Sequence, residues 1–120
     1  MMRIREITGA VILIAASSGA LAATATITTS VDRIILHDTD FGGCMVKSSA
    51  DITGPLPACS GGWITLDCLA AFPNSTKSMA QNKLTTAQLA FATGKNVILY
   101  VTDKRKANGF CYATRVDIGR

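Results

Sequence analysis

The spacing of apolar residues past position 22 divides the chain into short strands and one helix. "TATITTSVDRIILHD" is rich in β-branched residues, with Ile27, Thr29 and Val31 alternating on one face and Ile34 and Leu36 continuing in the opposite parity. A period-two pattern that slips by one residue predicts a bulge near Asp32–Arg33 in a long, bent first strand. "HDTDFGG" reads as a turn, "CMVKSS" as a second strand, "ADITGPLPACSGG" as a long loop and "WITLDCL" as a third strand. "FPNSTKS" breaks that strand and opens a helix, with Ser75 or Asn74 expected as N-cap. The helix is expected from Thr76 to Thr93, stopped by Gly94, with Lys95 adding a favourable charge just past its end.

One apolar stripe runs along this helix: Ala80, Leu84, Ala87 and Phe91, at spacings of 4, 3 and 4. The stripe is expected to lie on the strands. Leu89 sits about 180° away, between Thr85 and Thr93. It is either a single exposed leucine or a subunit contact. "NVILYVTD" is the fourth strand, "KRKANG" a hairpin turn with Asn108–Gly109 suited to positive φ, and "FCYATRVDI" the fifth strand. Phe110, Tyr112, Thr114, Val116 and Ile118 are expected to share one face of that last strand. The chain thus reads as mainly β with one helix, in the order strand, strand, strand, helix, strand, strand. A long bent first strand and a helix between strands three and four is the layout of the OB-fold, a small five-stranded Greek-key barrel.

The N-terminus changes what counts as the domain. "MMRIREITGAVILIAASSGALAATAT" carries Arg3 and Arg5, a short apolar core from Gly9 to Ala16, and the small-x-small site "ALA" at 20–22. This is the layout of a secretory signal peptide, with an apolar core too short for a permanent membrane anchor. Cleavage is expected after Ala22, so residues 1–22 are a signal peptide and residues 23–120 a single domain, exported to the periplasm or beyond. The remaining chain has ten Lys plus Arg against seven Asp and no Glu, a net charge of +3. That balance does not specify a partner.

Four cysteines remain, Cys44, Cys59, Cys68 and Cys111. An even number in a small exported domain reads as two disulfides. Their gaps of 15, 9 and 43 residues do not fit the close pairs of a structural zinc site. In the expected barrel, strands three and five are parallel neighbours. Cys44 and Cys68 are equidistant from Leu56, the middle of the loop between strands two and three, so a symmetric hairpin sets them opposite each other. Cys59 precedes strand three and Cys111 opens strand five, so parallel neighbours bring those two together. The expected pairing is Cys44–Cys68 and Cys59–Cys111.

Catalytic chemistry is sparse. His37, the single histidine, stands in "LHDTDF" beside Asp38 and Asp40, where a turn accounts for the polar residues. No serine has a Gly-x-Ser-x-Gly setting, no glycine loop of the phosphate-binding type is present, and the cysteines are accounted for as disulfides. No enzyme, metal or cofactor is expected. "KRK" at 104–106 is the one basic run, and an OB-fold with basic loops binds single-stranded nucleic acid. Here Lys104, Arg105 and Lys106 read first as a solvated hairpin tip. "NST" at 74–76 matches a glycosylation sequon and is better explained as helix capping. Trp63, on strand three, falls either in the core, the more frequent place for an aromatic, or at the barrel surface, where it becomes a stacking platform for sugar rings or bases.

A Cys in strand two, a Cys closing strand three, a helix and then "ATGKNVILYV" resemble the binding subunits of the subtilase-cytotoxin and pertussis-like bacterial toxins. Thr93, Gly94, Val97 and Tyr100 match the "TG-x-x-V-x-x-Y" segment after the helix in those subunits. The resemblance covers residues 44 to 101. "KANGFCYATRVDI" also looks like the ending of small uncharacterised exported proteins of marine and enteric bacteria. The toxin resemblance implies an OB-fold subunit in a homopentameric ring, helices lining its centre, that binds host-cell glycans. It matches Cys44–Cys68 to the family's one disulfide and has no counterpart for Cys59 and Cys111. It places Leu89 and Thr85 at the subunit contact. The alternatives are a periplasmic inhibitor or accessory protein that binds another protein, and nucleic-acid binding.

Overall fold

The alternation that opens the domain is realised as two strands, β1 (Thr24–Thr29) and β2 (Val31–Leu36), separated by Ser30. A computed structural model describes residues 23–119; the expected signal peptide, residues 1–22, and Arg120 lie outside the described residues. A 3-10 turn at Phe41–Gly43 leads into β3 (Cys44–Ser48), and β4 (Trp63–Thr65) follows a long loop. The helix α1 (Lys77–Thr93) precedes the hairpin of β5 (Val97–Ala107) and β6 (Phe110–Ile118).

The six strands form one sheet in the order β1-β5-β6-β4-β3-β2, instead of the expected five. The extra strand arises because Ser30 leaves the ladder: its carbonyl accepts from Ser49 N at 3.2 Å and its hydroxyl meets Ser49 Oγ at 2.6 Å. The two end strands of the sheet, β1 and β2, are therefore consecutive in the chain and joined by that one residue. All neighbours are antiparallel except β4 and β6, which run parallel with Thr65 opposite Tyr112. The expected parallel neighbours are present, as are both disulfides, Cys44–Cys68 and Cys59–Cys111, with Cα separations of 5.5 and 5.4 Å. A small, mainly β domain carrying two disulfides fits an oxidising, exported environment.

Ile27, Val46, Ile64, Leu99 and Val101 from the strands form the core with Leu84, Ala87 and Ala90 of α1. The helix packs on β6 and β2. Its N-cap is Thr76, whose hydroxyl accepts from Met79 N at 3.1 Å, and not Ser75 or Asn74. Asn74 is spent on the turn, at φ 65°, and Ser75 N donates to Phe72 O. Gly94 ends the helix in the left-handed conformation at φ 69°, as its position implies. The buried face is Ala80, Lys83, Leu84, Ala87 and Ala90. Phe91, expected in the stripe, is 53% exposed. Residues 91–96 are all exposed, so burial along the helix stops at Ala90. Angular position alone buries nothing there.

Three further expectations are corrected by local geometry. "WITLDCL" contributes only Trp63–Thr65 to the ladder, because Asp67 turns the chain at φ 59°. The single-face reading of the last strand breaks at Thr114, which has no register partner between Tyr100↔Arg115 and Val101↔Ala113. Cys111, Tyr112 and Ala113 are then buried in succession. The turn after β5 is only Asn108 (φ 54°) and Gly109 (φ 85°), so Lys104, Arg105 and Lys106 belong to the strand and not to the hairpin tip.

Candidate functional site

The bulge near Asp32 does more than bend the chain. Val31 pairs with Ser48 and Arg33 with Lys47, so β2 advances two residues where β3 advances one. Val31 is therefore buried in the core while Arg33, which would otherwise share its face, is turned outward. Lys47 is in turn opposite Trp63 on β4. Arg33, Lys47 and Trp63 stand in one row across three strands, on the face opposite the core residues Ile34, Val46 and Ile64.

Asp32 joins this row in lining a groove of about 260 Å³. Trp63 is part-exposed, which favours the surface alternative of the two that the sequence leaves open. Its strand partner explains this: Trp63 shares its face with Lys47, and a lysine in that position keeps the row at the surface. The Lys47 ammonium lies near Gly62, where a Cβ would sit at an ordinary contact distance of 3.6 Å from Nζ. The one ion pair among the described residues is Arg115–Asp117. Asp32, Arg33 and Lys47 thus have no charged partner within 4.0 Å there. No other ring or cation stacks on Trp63 among the described residues.

A part-exposed indole stands beside two cations and one carboxylate. Together they offer a stacking surface, hydrogen-bond donors on Arg33 and Lys47 and an acceptor on Asp32. Tyr100 is a weaker platform, because the Arg115 guanidinium already covers its ring at 4.8 Å. That guanidinium also donates from Nε to Asp117 at 2.9 Å, and the bond raises its already high pKa.

The basic run does not line the Trp63 groove. Lys106 Nζ instead donates to Ala58 O at 2.8 Å, tying β5 to the long loop beside Cys59. His37 is a turn residue: its Nδ1 accepts from Thr39 N at 3.2 Å and Asp40 N at 3.0 Å. Other acids are likewise committed to the backbone. Asp51 accepts from the hydroxyl and N–H of Thr53 and from Gly54 N, and the Thr53 hydroxyl bond is the main cause holding its carboxyl below the usual range. Asp103 accepts from Ala23 N at 2.8 Å, pinning the start of β1 to β5.

On the helix, Leu89 and Thr85 are both exposed, Leu89 at 53%. Leu89 borders a groove of about 390 Å³ with Thr93, Lys95, Ile118 and Gly119. Reading the sequence singled out Trp63 but missed Arg33 and Lys47 as its companions. The available signal was the parity slip at Asp32–Arg33, which says that Arg33 changes face but not which residues it meets.

The fold and this row define a small, disulfide-linked β domain with a part-exposed aromatic and charged outer face. Compared with protein-family models, curated proteins and solved structures, the chain matches none.

Proposed function

We propose that the protein is an exported, non-catalytic OB-fold module that recognises glycans through the Arg33–Lys47–Trp63 row. The OB-fold reading is supported by the sheet order, whose two ends meet at Ser30, by the parallel β4–β6 contact and by a helix between β4 and β5. β3 and β4 are then strands two and three of the barrel, the face on which OB-folds bind oligosaccharides and oligonucleotides. Export is supported by the two disulfides and the signal-like N-terminus. Cleavage after Ala22 makes the nitrogen of Ala23 an α-ammonium, and its contact with Asp103 becomes an ion pair. The observation that carries the glycan reading is the part-exposed Trp63 flanked by charged groups that do not neutralise one another.

The chain has one tryptophan, so its fluorescence reports this site alone. Glycans selected on an array should quench or shift Trp63 emission on titration into the oxidised protein. Trp63→Ala should weaken their binding about tenfold or more, while Trp63→Phe retains part of it. An array without signal, or binding that Trp63→Ala leaves intact, removes the reading. Oligonucleotide binding that falls steeply with salt replaces it with nucleic-acid recognition.

The toxin-subunit resemblance adds a homopentameric ring with α1 toward its axis, Leu89 and Thr85 at the contact, and multivalent binding to a cell surface. The exposed Leu89 on the helix supports a protein contact there, and equally serves the alternative of an inhibitor or accessory protein that covers another chain. Leu89→Ser should change monomer stability by no more than about 0.5 kcal/mol yet weaken assembly, because a closed ring repeats the contact in every subunit. Sedimentation of both proteins decides it. A wild-type protein that stays monomeric at high micromolar concentration rules out the ring.

A further inference from the structure

Lysine is almost never buried without a charged partner. Lys83 of α1 is only 9% exposed, and no carboxylate lies within 4.0 Å of it among the described residues. Its Nζ donates to Tyr112 Oη at 2.8 Å and to Ala113 O at 3.0 Å, and sits 4.5 Å from the centre of the Tyr112 ring. An ammonium has three donors, so one N–H is unspent on these partners. Two neutral acceptors and a ring face stabilise the charge but do not neutralise it, and a buried net charge is costly. Lys83 also lines a groove of about 220 Å³ between α1 and β6, on elements distinct from those bearing Trp63.

The other polar walls of this groove have a definite sense. Thr86 donates its hydroxyl proton to Asn82 O at 2.9 Å, and Thr114 donates its own to Tyr100 O at 3.2 Å. Each hydroxyl proton is thus committed to a backbone carbonyl, and each oxygen keeps lone pairs with which it can accept. The Asn82 amide adds a donor and an acceptor, and Arg115 lines the groove with its guanidinium drawn to Asp117 and the Tyr100 ring. Met79 and Val116 supply the apolar wall. A matching ligand brings one anionic group, several hydroxyl donors and an aliphatic face. The volume is below the roughly 300–1,000 Å³ of drug-sized pockets, which limits it to about one ring.

We infer that the α1–β6 groove is a second ligand site that takes the carboxylate of an acidic sugar on Lys83 Nζ. The sugar hydroxyls donate to Thr86 and Thr114. This site is independent of the Trp63 row and stands or falls separately.

The test is a two-dimensional amide NMR titration of the oxidised domain with glucuronate, glucose and acetate. Glucuronate should shift the amides of Asn82, Thr86, Thr114 and Arg115, with an affinity on the order of millimolar for a single ring. Glucose should bind at least about tenfold more weakly for want of the anion, and acetate likewise for want of hydroxyls. Lys83→Met should lose the glucuronate response. Because Lys83 is buried, Thr114→Val serves as a second variant at an exposed position; it should weaken glucuronate several-fold with the fold intact. Glucuronate that leaves these amides unmoved, or that binds folded Lys83→Met as it binds wild type, overturns the inference. So does a response to glucose or acetate equal to that to glucuronate, or a Thr114→Val protein with unchanged affinity.

Discussion

The double variant Cys59→Ala/Cys111→Ala should melt on the order of 15–30 °C below the wild-type protein. Cys59–Cys111 closes the longer of the two disulfide loops, with a sequence separation of 52, and chain entropy alone assigns it about 4 kcal/mol. Cys44–Cys68, with a separation of 24, is assigned about 3.5 kcal/mol. Topology widens the difference. β4 is only three residues long and meets β6 through the single register pair Thr65↔Tyr112. Cys111 opens that side of β6 and Cys59 leads toward β4, so the bond staples the shortest ladder in the sheet. Small domains have about 5–15 kcal/mol in total, so the loss is a large fraction of the whole. Thermal unfolding followed by circular dichroism measures it, with Cys44→Ala/Cys68→Ala as the comparison. A Cys59/Cys111 variant that melts within about 5 °C of wild type would mean the seam holds without its staple.

Asp67→Ala should cost about 3 kcal/mol or more, read as the shift of a urea unfolding curve at constant slope. Asp67 is fully buried, yet none of its partners is a cation among the described residues. Its carboxylate oxygens accept from Ala71 N and Phe72 N, each at 2.9 Å, and its own N–H donates to Thr65 Oγ1 at 3.1 Å. Bonds to a charged acceptor contribute about 1.5–3 kcal/mol apiece, and alanine removes both while leaving the two donors without their acceptor. The backbone at φ 59° adds strain, since alanine tolerates the left-handed region less well than aspartate. Asp67→Asn keeps one acceptor oxygen and should lose roughly half as much. The effect should travel further than the loop. Phe72 packs edge-on against Tyr112, with ring centres 4.9 Å apart, and Tyr112 holds Lys83. A displaced Phe72 should therefore move the same α1–β6 amides that the acidic-sugar titration reads. An Asp67→Ala protein as stable as wild type would show that water replaces the carboxylate at no cost.

Local chemistry by itself determined much of this protein. β-branched alternation placed the strands. A one-residue parity slip located the bulge at Asp32–Arg33, and Gly94 set the helix end through its left-handed φ. The cysteine spacings, combined with the strand order, were enough to pair Cys44 with Cys68 and Cys59 with Cys111. These features depend on near neighbours or on one topological constraint, and sequence carries both.

Tertiary structure decided the rest, because burial is a property of what lies across the contact. Phe91 falls on the apolar stripe but is exposed, while Lys83, which no hydropathy pattern would bury, is enclosed because Tyr112 Oη and Ala113 O meet its ammonium. Ser30 divides the first strand because Ser49, nineteen residues later, draws its hydroxyl and carbonyl aside. Lys104 to Lys106 looked like a hairpin tip until pairing with β6 extended the strand to Ala107. The candidate site has the same origin. Trp63 was visible as a lone tryptophan, but Arg33 and Lys47 became its neighbours only through registers on β2, β3 and β4 that depend on long-range pairing.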